Sequence, residues 1–155
     1  MITTELIMES IKYGDLSEIE QKLVETAINS RAQAYANYSK FKVGAAALDE
    51  NKNIHRGCNI ESADYTLTTH AEMLAIDNLI LSGAKTLNAI AIALSSEHGN
   101  PTPCGLCRQK MTEFGSEKTQ IICVNLNERG EIKDVFKTYL GALLPFAFSK
   151  ESLNS

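Results

Sequence analysis

Apolar positions recur at helical spacing after Leu16, with Ile19, Leu23 and Ala27 on one stripe and polar residues between them, which predicts an amphipathic helix. Ser17 stands where an N-cap belongs and Glu20 follows three positions later, the two halves of a capping box. This helix is expected to run to about residue 35, before the turn-like Asn37-Tyr38-Ser39. Two strands are predicted over 42–48 and 53–60, joined by Asp49-Glu50-Asn51-Lys52. The small residues Gly44-Ala45-Ala46-Ala47 in the first of them leave room for another element to pack closely. Residues 69–81 have a helical composition and stop before Ser82-Gly83. Residues 88–95 are apolar and alternating, as in a buried central strand. A loop with Pro101 and Pro103 leads into a further helix at about 104–114. Strands at 120–125 and 131–138 then flank Asn127-Glu128-Arg129-Gly130, a connection that permits an antiparallel hairpin and is too short for a parallel crossover. The elements together predict an α/β fold, a three-layer α-β-α sandwich with a mixed five-stranded sheet.

Length and composition narrow this picture. The 155 residues fit one domain, with residues 1–15 as an N-terminal extension and a core over about 16–149. Hydrophobic content of 44% with 22% charged residues is ordinary for a folded chain and argues against disorder. The net charge of −4 lacks the basic balance that binding a phosphate backbone calls for, which demotes a nucleic acid polymer as substrate. No apolar run approaches a membrane span, and the opening MITTELIMESIKYGD lacks the basic-then-apolar pattern of an export signal. A cytoplasmic setting with reduced thiols is therefore expected for Cys58, Cys104, Cys107 and Cys123.

In such a setting a close cysteine pair points to metal or redox chemistry before a structural disulfide. Cys104 and Cys107 are three apart at a helix start, so both sulfurs can reach one ion, and helix-start amides favour the thiolate. By itself this pair reads equally well as a metal site or as a dithiol redox couple. The second half of the pattern is His70-Ala71-Glu72, at the start of the helix over 69–81. His-x-Glu with a later Pro-Cys-x-x-Cys is a signature of zinc deaminases. His70, Cys104 and Cys107 would leave one position of tetrahedral zinc open for water, as a catalytic centre requires. His70 and Glu72 do not share a helical face, so both can border one cavity only if the helix turns its N-terminal end to the metal. Glu72 is then the candidate to carry protons between water, the ring nitrogen N3 and the leaving amine.

Taken singly, a His at a helix start usually faces solvent or caps, and a first-turn Glu usually complements the helix dipole. In this order and on these elements, the catalytic reading is preferred. A closed structural zinc site would need a fourth ligand from Cys58, Cys123, His55 or His98. Cys58 neighbours Asn59 on a strand and should face the other way, and Cys123, mid-strand, reads as a buried inert hydrophobe. His55 and His98 receive no role.

Over about residues 35–148 the chain resembles the cytidine deaminases of the short, single-domain kind. The resemblance rests on Tyr35-Ala36-Asn37-Tyr38-Ser39, Phe41-Lys42-Val43-Gly44-Ala45-Ala46, Gly57-Cys58-Asn59-Ile60-Glu61, His70-Ala71-Glu72, Pro103-Cys104-Gly105-Leu106-Cys107-Arg108-Gln109 and Leu143-Leu144-Pro145. It implies zinc as cofactor and a free pyrimidine nucleoside as substrate. Asn59 and Glu61 occupy positions that bind the ribose, and their i, i+2 spacing independently places them on one strand face. Phe41 matches the aromatic contact to the pyrimidine. Ala71 corresponds to the position whose N–H holds the pyrimidine O2. Phe148 resembles an aromatic that a neighbouring subunit inserts into the pocket, with Phe146 as its competitor. The His form of the ligand set is better known from longer, two-domain relatives that act as dimers. With no second domain read in this chain, a homotetramer is expected, with a dimer as the alternative.

Two departures stand out. Short relatives commonly carry Cys at the position of His70, with Glu and Arg after it, whereas here the run is His70-Ala71-Glu72-Met73. Three thiolates leave zinc with a net negative charge that an Arg offsets, whereas one neutral His and two thiolates balance it, which makes Met73 tolerable. Ser62 and Asp64 also differ; Asp64 bears either on phosphorylated substrates or on the choice among nucleosides. The expected activity is hydrolytic deamination of cytidine and 2′-deoxycytidine in pyrimidine salvage. The alternatives are a deaminase of a blasticidin-type aminopyrimidine nucleoside, which Asn59 and Glu61 disfavour, and an inactive zinc-binding interaction module, which Glu72 disfavours.

Overall fold

The computed structural model describes residues 8–153. Helix α1, Glu18–Arg31, begins on the expected capping box: Ser17 Oγ accepts from Glu20 N at 3.4 Å, and Glu20 Oε2 accepts from Ser17 N at 2.8 Å. It stops short of residue 35 for a local reason. The N–H groups of Ala32, Gln33 and Ala34 bond three residues back, a tightened last turn. Tyr35 then leaves the helix to pair with another segment, donating to Asn59 O at 2.9 Å and accepting from Glu61 N at 2.8 Å.

The sheet has six strands rather than the five expected: β1 Glu9–Ser10, β2 Gly44–Asp49, β3 Ile54–Cys58, β4 Leu87–Leu94, β5 Gln120–Leu126 and β6 Ile132–Tyr139. They lie in the order β1-β6-β5-β4-β2-β3. The additional strand, β1, is two residues long, too short to show any alternation, and pairs Glu9 with Lys137 and Ser10 with Phe136. All pairings are antiparallel except β4 with β5. That parallel step needs a crossover, supplied by helix α3, Gly105–Phe114. Helix α2, Ala71–Leu81, connects β3 to β4, and a single turn, α4 Leu140–Leu143, follows β6.

Alternation along the central strands sorts the core into two layers. Ile90, Ile92, Leu94, Ile121 and Cys123 pack with Ala75, Ile76, Leu79, Cys107 and Met111 of α2 and α3. Ala89, Ala91, Ala93, Ile122 and Val124 pack on the other face with Leu23, Val24 and Ala27 of α1. The three-layer α-β-α sandwich is therefore as expected. Small residues set how closely the helices approach: a Cβ on Gly44 would lie 2.0 Å from Ala27 O. Cys123 is buried at β5 in contact with this core, in keeping with a hydrophobic role. Among the described residues no helix is long and apolar enough to cross a membrane.

Candidate active site

Two helix starts meet above the same sheet face. His70 is the N-cap of α2 and Cys104 the N-cap of α3, and neither uses its side chain to cap its own helix. Both are therefore free for other chemistry. His70 Nδ1 lies 3.2 Å from Cys107 Sγ and 3.4 Å from Cys104 Sγ. The three donor atoms all lie within 4.8 Å of one another, and among the described residues no further Cys, His, Asp or Glu joins the group. For zinc bonds of about 2.0–2.3 Å, neighbouring donors of a tetrahedron stand roughly 3.3–3.8 Å apart, so this set fits zinc. Cys58, Cys123, His55 and His98 lie outside it, which leaves the closed four-ligand site without its fourth ligand.

Glu72, in the first turn of α2, is 5% exposed. Burial pushes its carboxyl above the ordinary carboxylate range, against hydrogen bonds from its own backbone and from Cys107. The Cys107 thiol is likewise raised, first by burial and then by repulsion from Glu72 and Cys104. Buried groups that repel one another as anions are suited to a cation between them. The end-on arrangement inferred from the His70–Glu72 spacing is the one observed: both residues border one cavity, with α2 presenting its N-terminus.

That cavity has a volume of about 300 Å³, and Phe41, Asn59, Glu61, His70, Ala71, Glu72 and Cys104 line it. Five residues not anticipated from sequence line it too: Ser39, Val43, Thr68, Leu94 and Thr102. They are small or apolar and arrive from separate loops and a strand end. Ser39 and Val43 fall in segments that carry the family resemblance, whereas no local pattern marks Thr68, Leu94 or Thr102. Ala71 is buried at the start of α2, where backbone N–H groups have no intrahelical acceptor.

Asn59 and Glu61 share the cavity, yet both also hold protein. Asn59 Oδ1 accepts from Val43 N at 2.9 Å and its Nδ2 donates to Phe41 O at 2.8 Å. The amide thereby braces the segment that carries Phe41, and it explains why β2 begins at Gly44 rather than at residue 42. Glu61 accepts from the N–H groups of Tyr38 and Ser39 and from Ser39 Oγ. The bonds from Ser39 hold its carboxyl below the ordinary range. Phe148 does not line the cavity of its own chain; it is exposed, with its carbonyl accepting from Gln109 Nε2 at 2.7 Å. Phe146 is fully exposed.

His55, without a role in the sequence, bonds the buried Asp49 through Nε2 at 2.8 Å, and neither residue lines the cavity. Asp49 also accepts from Asn51 N and Asn53 N, so the pair closes the β2–β3 turn. His98 is exposed beside Glu97.

Comparison with known proteins agrees with this geometry. The family model for the cytidine and deoxycytidylate deaminase zinc-binding region matches residues 17–123. A cytidine deaminase of Sporosarcina psychrophila is 40% identical over 134 residues, 86% of this chain and 94% of that protein. One from Halalkalibacterium halodurans is 39% identical, covering 86% of this chain and 97% of the relative. The crystal structure of cytidine deaminase from Burkholderia pseudomallei superposes with a TM-score of 0.74 at 36% identity, covering 86% of this chain and all of that one. The chain belongs to the cytidine deaminase family. Zinc is the metal of the matched region, and the His-Cys-Cys donor set suits it.

Proposed function

We propose that this protein deaminates cytidine and 2′-deoxycytidine hydrolytically, giving the uridines and ammonia. The reading is carried by one cavity in which His70 and Cys104 of the donor set, the buried Glu72 and the pair Asn59 and Glu61 all meet. His70 Nδ1 and the sulfurs of Cys104 and Cys107 hold the zinc, which when bound acts as a Lewis acid and brings the pKa of water down to about 7.

Glu72 performs the proton transfers. It takes a proton from water as the oxygen attacks C4 and places it on ring N3. It then takes the remaining proton from the new C4 hydroxyl and passes it to the amine, so that the C4–N bond breaks, the C4 carbonyl forms and ammonia leaves. Burial, which raises its affinity for a proton, keeps the carboxyl able both to take one up and to give it back. The Ala71 N–H, at the open end of α2, donates to the pyrimidine O2, and Phe41 packs on the ring. Glu61 accepts from a ribose hydroxyl. Asn59 offers the hydrogen of Nδ2 that Phe41 O does not use.

The net charge of −4 and a cavity sized for a small molecule favour a free nucleoside over a polymer. Exposed Tyr35, Tyr38, Phe41, Tyr65 and Leu67 come from the segments around the cavity mouth, and apolar surface of this kind suits subunit contact. The reading therefore includes a homotetramer to which Phe148 contributes across an interface. It also includes one deaminase domain over about residues 16–149, acting in cytoplasmic pyrimidine salvage, where its free cysteines stay reduced.

The test is ammonia release from the zinc-loaded protein with cytidine, deoxycytidine, cytosine, CMP and blasticidin S. Turnover of both nucleosides is expected. Absence of turnover with either overturns the reading, and release from blasticidin S alone assigns the antibiotic as substrate. Light scattering of the same sample checks for four chains.

A further inference from the structure

The loop that delivers Cys104 is held by a single side chain. Arg108, one turn into α3, donates from its backbone N to Cys104 O at 3.0 Å and from Nε to Pro103 O at 2.8 Å. Its Nη2 reaches Thr102 Oγ1 at 3.3 Å, and its Nη1 reaches Leu143 O at 2.9 Å, at the end of α4. Among the described residues, the hydrogen bonds to Thr102, to Pro103 and to the Cys104 carbonyl all come from this one residue. Cys104 makes no side-chain cap of its own, so its loop has no local clamp. The half-buried guanidinium reaches the stretch 102–104 and the α4 turn at the same time, in the planar fork that only Arg provides.

We infer that Arg108 is a positioning residue for the metal centre: it pins residues 102–104 between α3 and Leu143 and so keeps Cys104 Sγ within reach of His70 Nδ1. This rests on reading His70, Cys104 and Cys107 as the zinc ligands. Cys107 needs no such help, since it is buried in the first turn of α3, whereas Cys104 is the exposed donor at the helix edge. The adjacent Gln109 holds Phe148 O, so two consecutive residues tie the C-terminal segment to the helix that carries the ligands.

The test compares wild type, Arg108→Gln and Arg108→Lys as purified zinc proteins. Zinc transfer to a competing chelator is measured, along with the thermal midpoint of each protein before and after the metal is removed. Partners outside the ligand set change metal affinity by about 10- to 100-fold. R108Q is therefore expected to bind zinc at least about tenfold more weakly. Its metal-free midpoint should fall less than its zinc-bound midpoint. The lost bonds to Pro103, Leu143 and Thr102 weaken both forms, but only the zinc-bound form also loses metal affinity. R108K should recover only part of that affinity. With cytidine, kcat at saturating zinc should fall more than KM rises. Unchanged zinc affinity in a folded R108Q overturns the inference, as does a metal-free midpoint that drops as far as the zinc-bound one. Should R108Q fail to fold, R108K decides by the same criteria: weakened zinc binding with a metal-free midpoint that falls less than the zinc-bound one supports the role, and wild-type affinity overturns it. A wild-type protein that binds no zinc refutes the reading of the ligands themselves, which separates that failure from this one.

Discussion

Gly57 lies so close to Ala71 that a Cβ on the glycine would stand 2.1 Å from the Ala71 carbonyl oxygen and 2.5 Å from Ala75 N. The first turn of α2, which carries Ala71 and Glu72 and follows directly on His70, rests on bare backbone of β3. A residue far from any chemistry by its own side chain thus fixes the depth of the helix start at the metal centre. Gly57→Ala is expected to push α2 outward, lowering stability by about 1–3 kcal/mol and reducing kcat. Denaturant titration and steady-state kinetics check this, and wild-type stability would show that β3 and α2 yield freely.

Glu72→Gln keeps the size of the side chain and removes its proton affinity. Its zinc content should match wild type, because Glu72 lies outside the donor set. Its kcat should fall by about 10²–10⁴. Metal analysis and ammonia release on one preparation measure both, and a fully active variant would refute the proton-transfer role.

Asn59 braces Val43 and Phe41 and, under the proposed function, also binds the ribose; substitution should expose both. Asn59→Ala leaves Val43 N and Phe41 O without their partners, a loss of about 1–3 kcal/mol for buried groups left unsatisfied. The Phe41 segment then loosens, so KM for cytidine should rise as well. Glu61→Gln, at a more open position, should raise KM with a smaller change in stability. Parallel denaturation and kinetics separate the two, and an unchanged KM in both variants would remove the ribose assignment.

Acid stability should depend on Glu20. Burial raises its pKa, but bonds from Lys137, from Ser17 N and from Gln120 outweigh that and hold the carboxyl at about 2 instead of 4.5. A folded pKa below the unfolded one means that this stabilisation is complete above about pH 4.5 and is lost as pH falls toward about 2. Glu20→Gln should therefore be less stable than wild type at neutral pH, with the gap closing through that window. Chemical denaturation at stepped pH reads the difference. A gap independent of pH would assign the effect to packing or to the helix cap.

Much of the fold was legible because its signals are local. The capping box at Ser17 and Glu20, the alternation in β4 and the short β5–β6 turn each depend on neighbours in sequence, and each formed where expected. Boundaries moved where a distant partner intervened. Tyr35 left the helix for Asn59 and Glu61, the Asn59 amide took the backbone of Phe41 and Val43, and β1 formed only because β6 offers an edge.

For the site, the residue types and spacings of His70, Glu72, Cys104 and Cys107 were sufficient to indicate zinc chemistry, since metal coordination and proton transfer demand particular atoms, and those are written in the chain. Their convergence was not written there. Whether two helix starts 34 residues apart, at His70 and Cys104, bring nitrogen and sulfur within a zinc tetrahedron depends on how the helices sit on the sheet. The absent Cβ of Gly57 lets α2 settle directly on β3, and Arg108 of α3 bonds both Pro103 O and Leu143 O. Side-chain chemistry is a property of single residues, whereas distance between elements is a property of packing, and only the tertiary structure decides it.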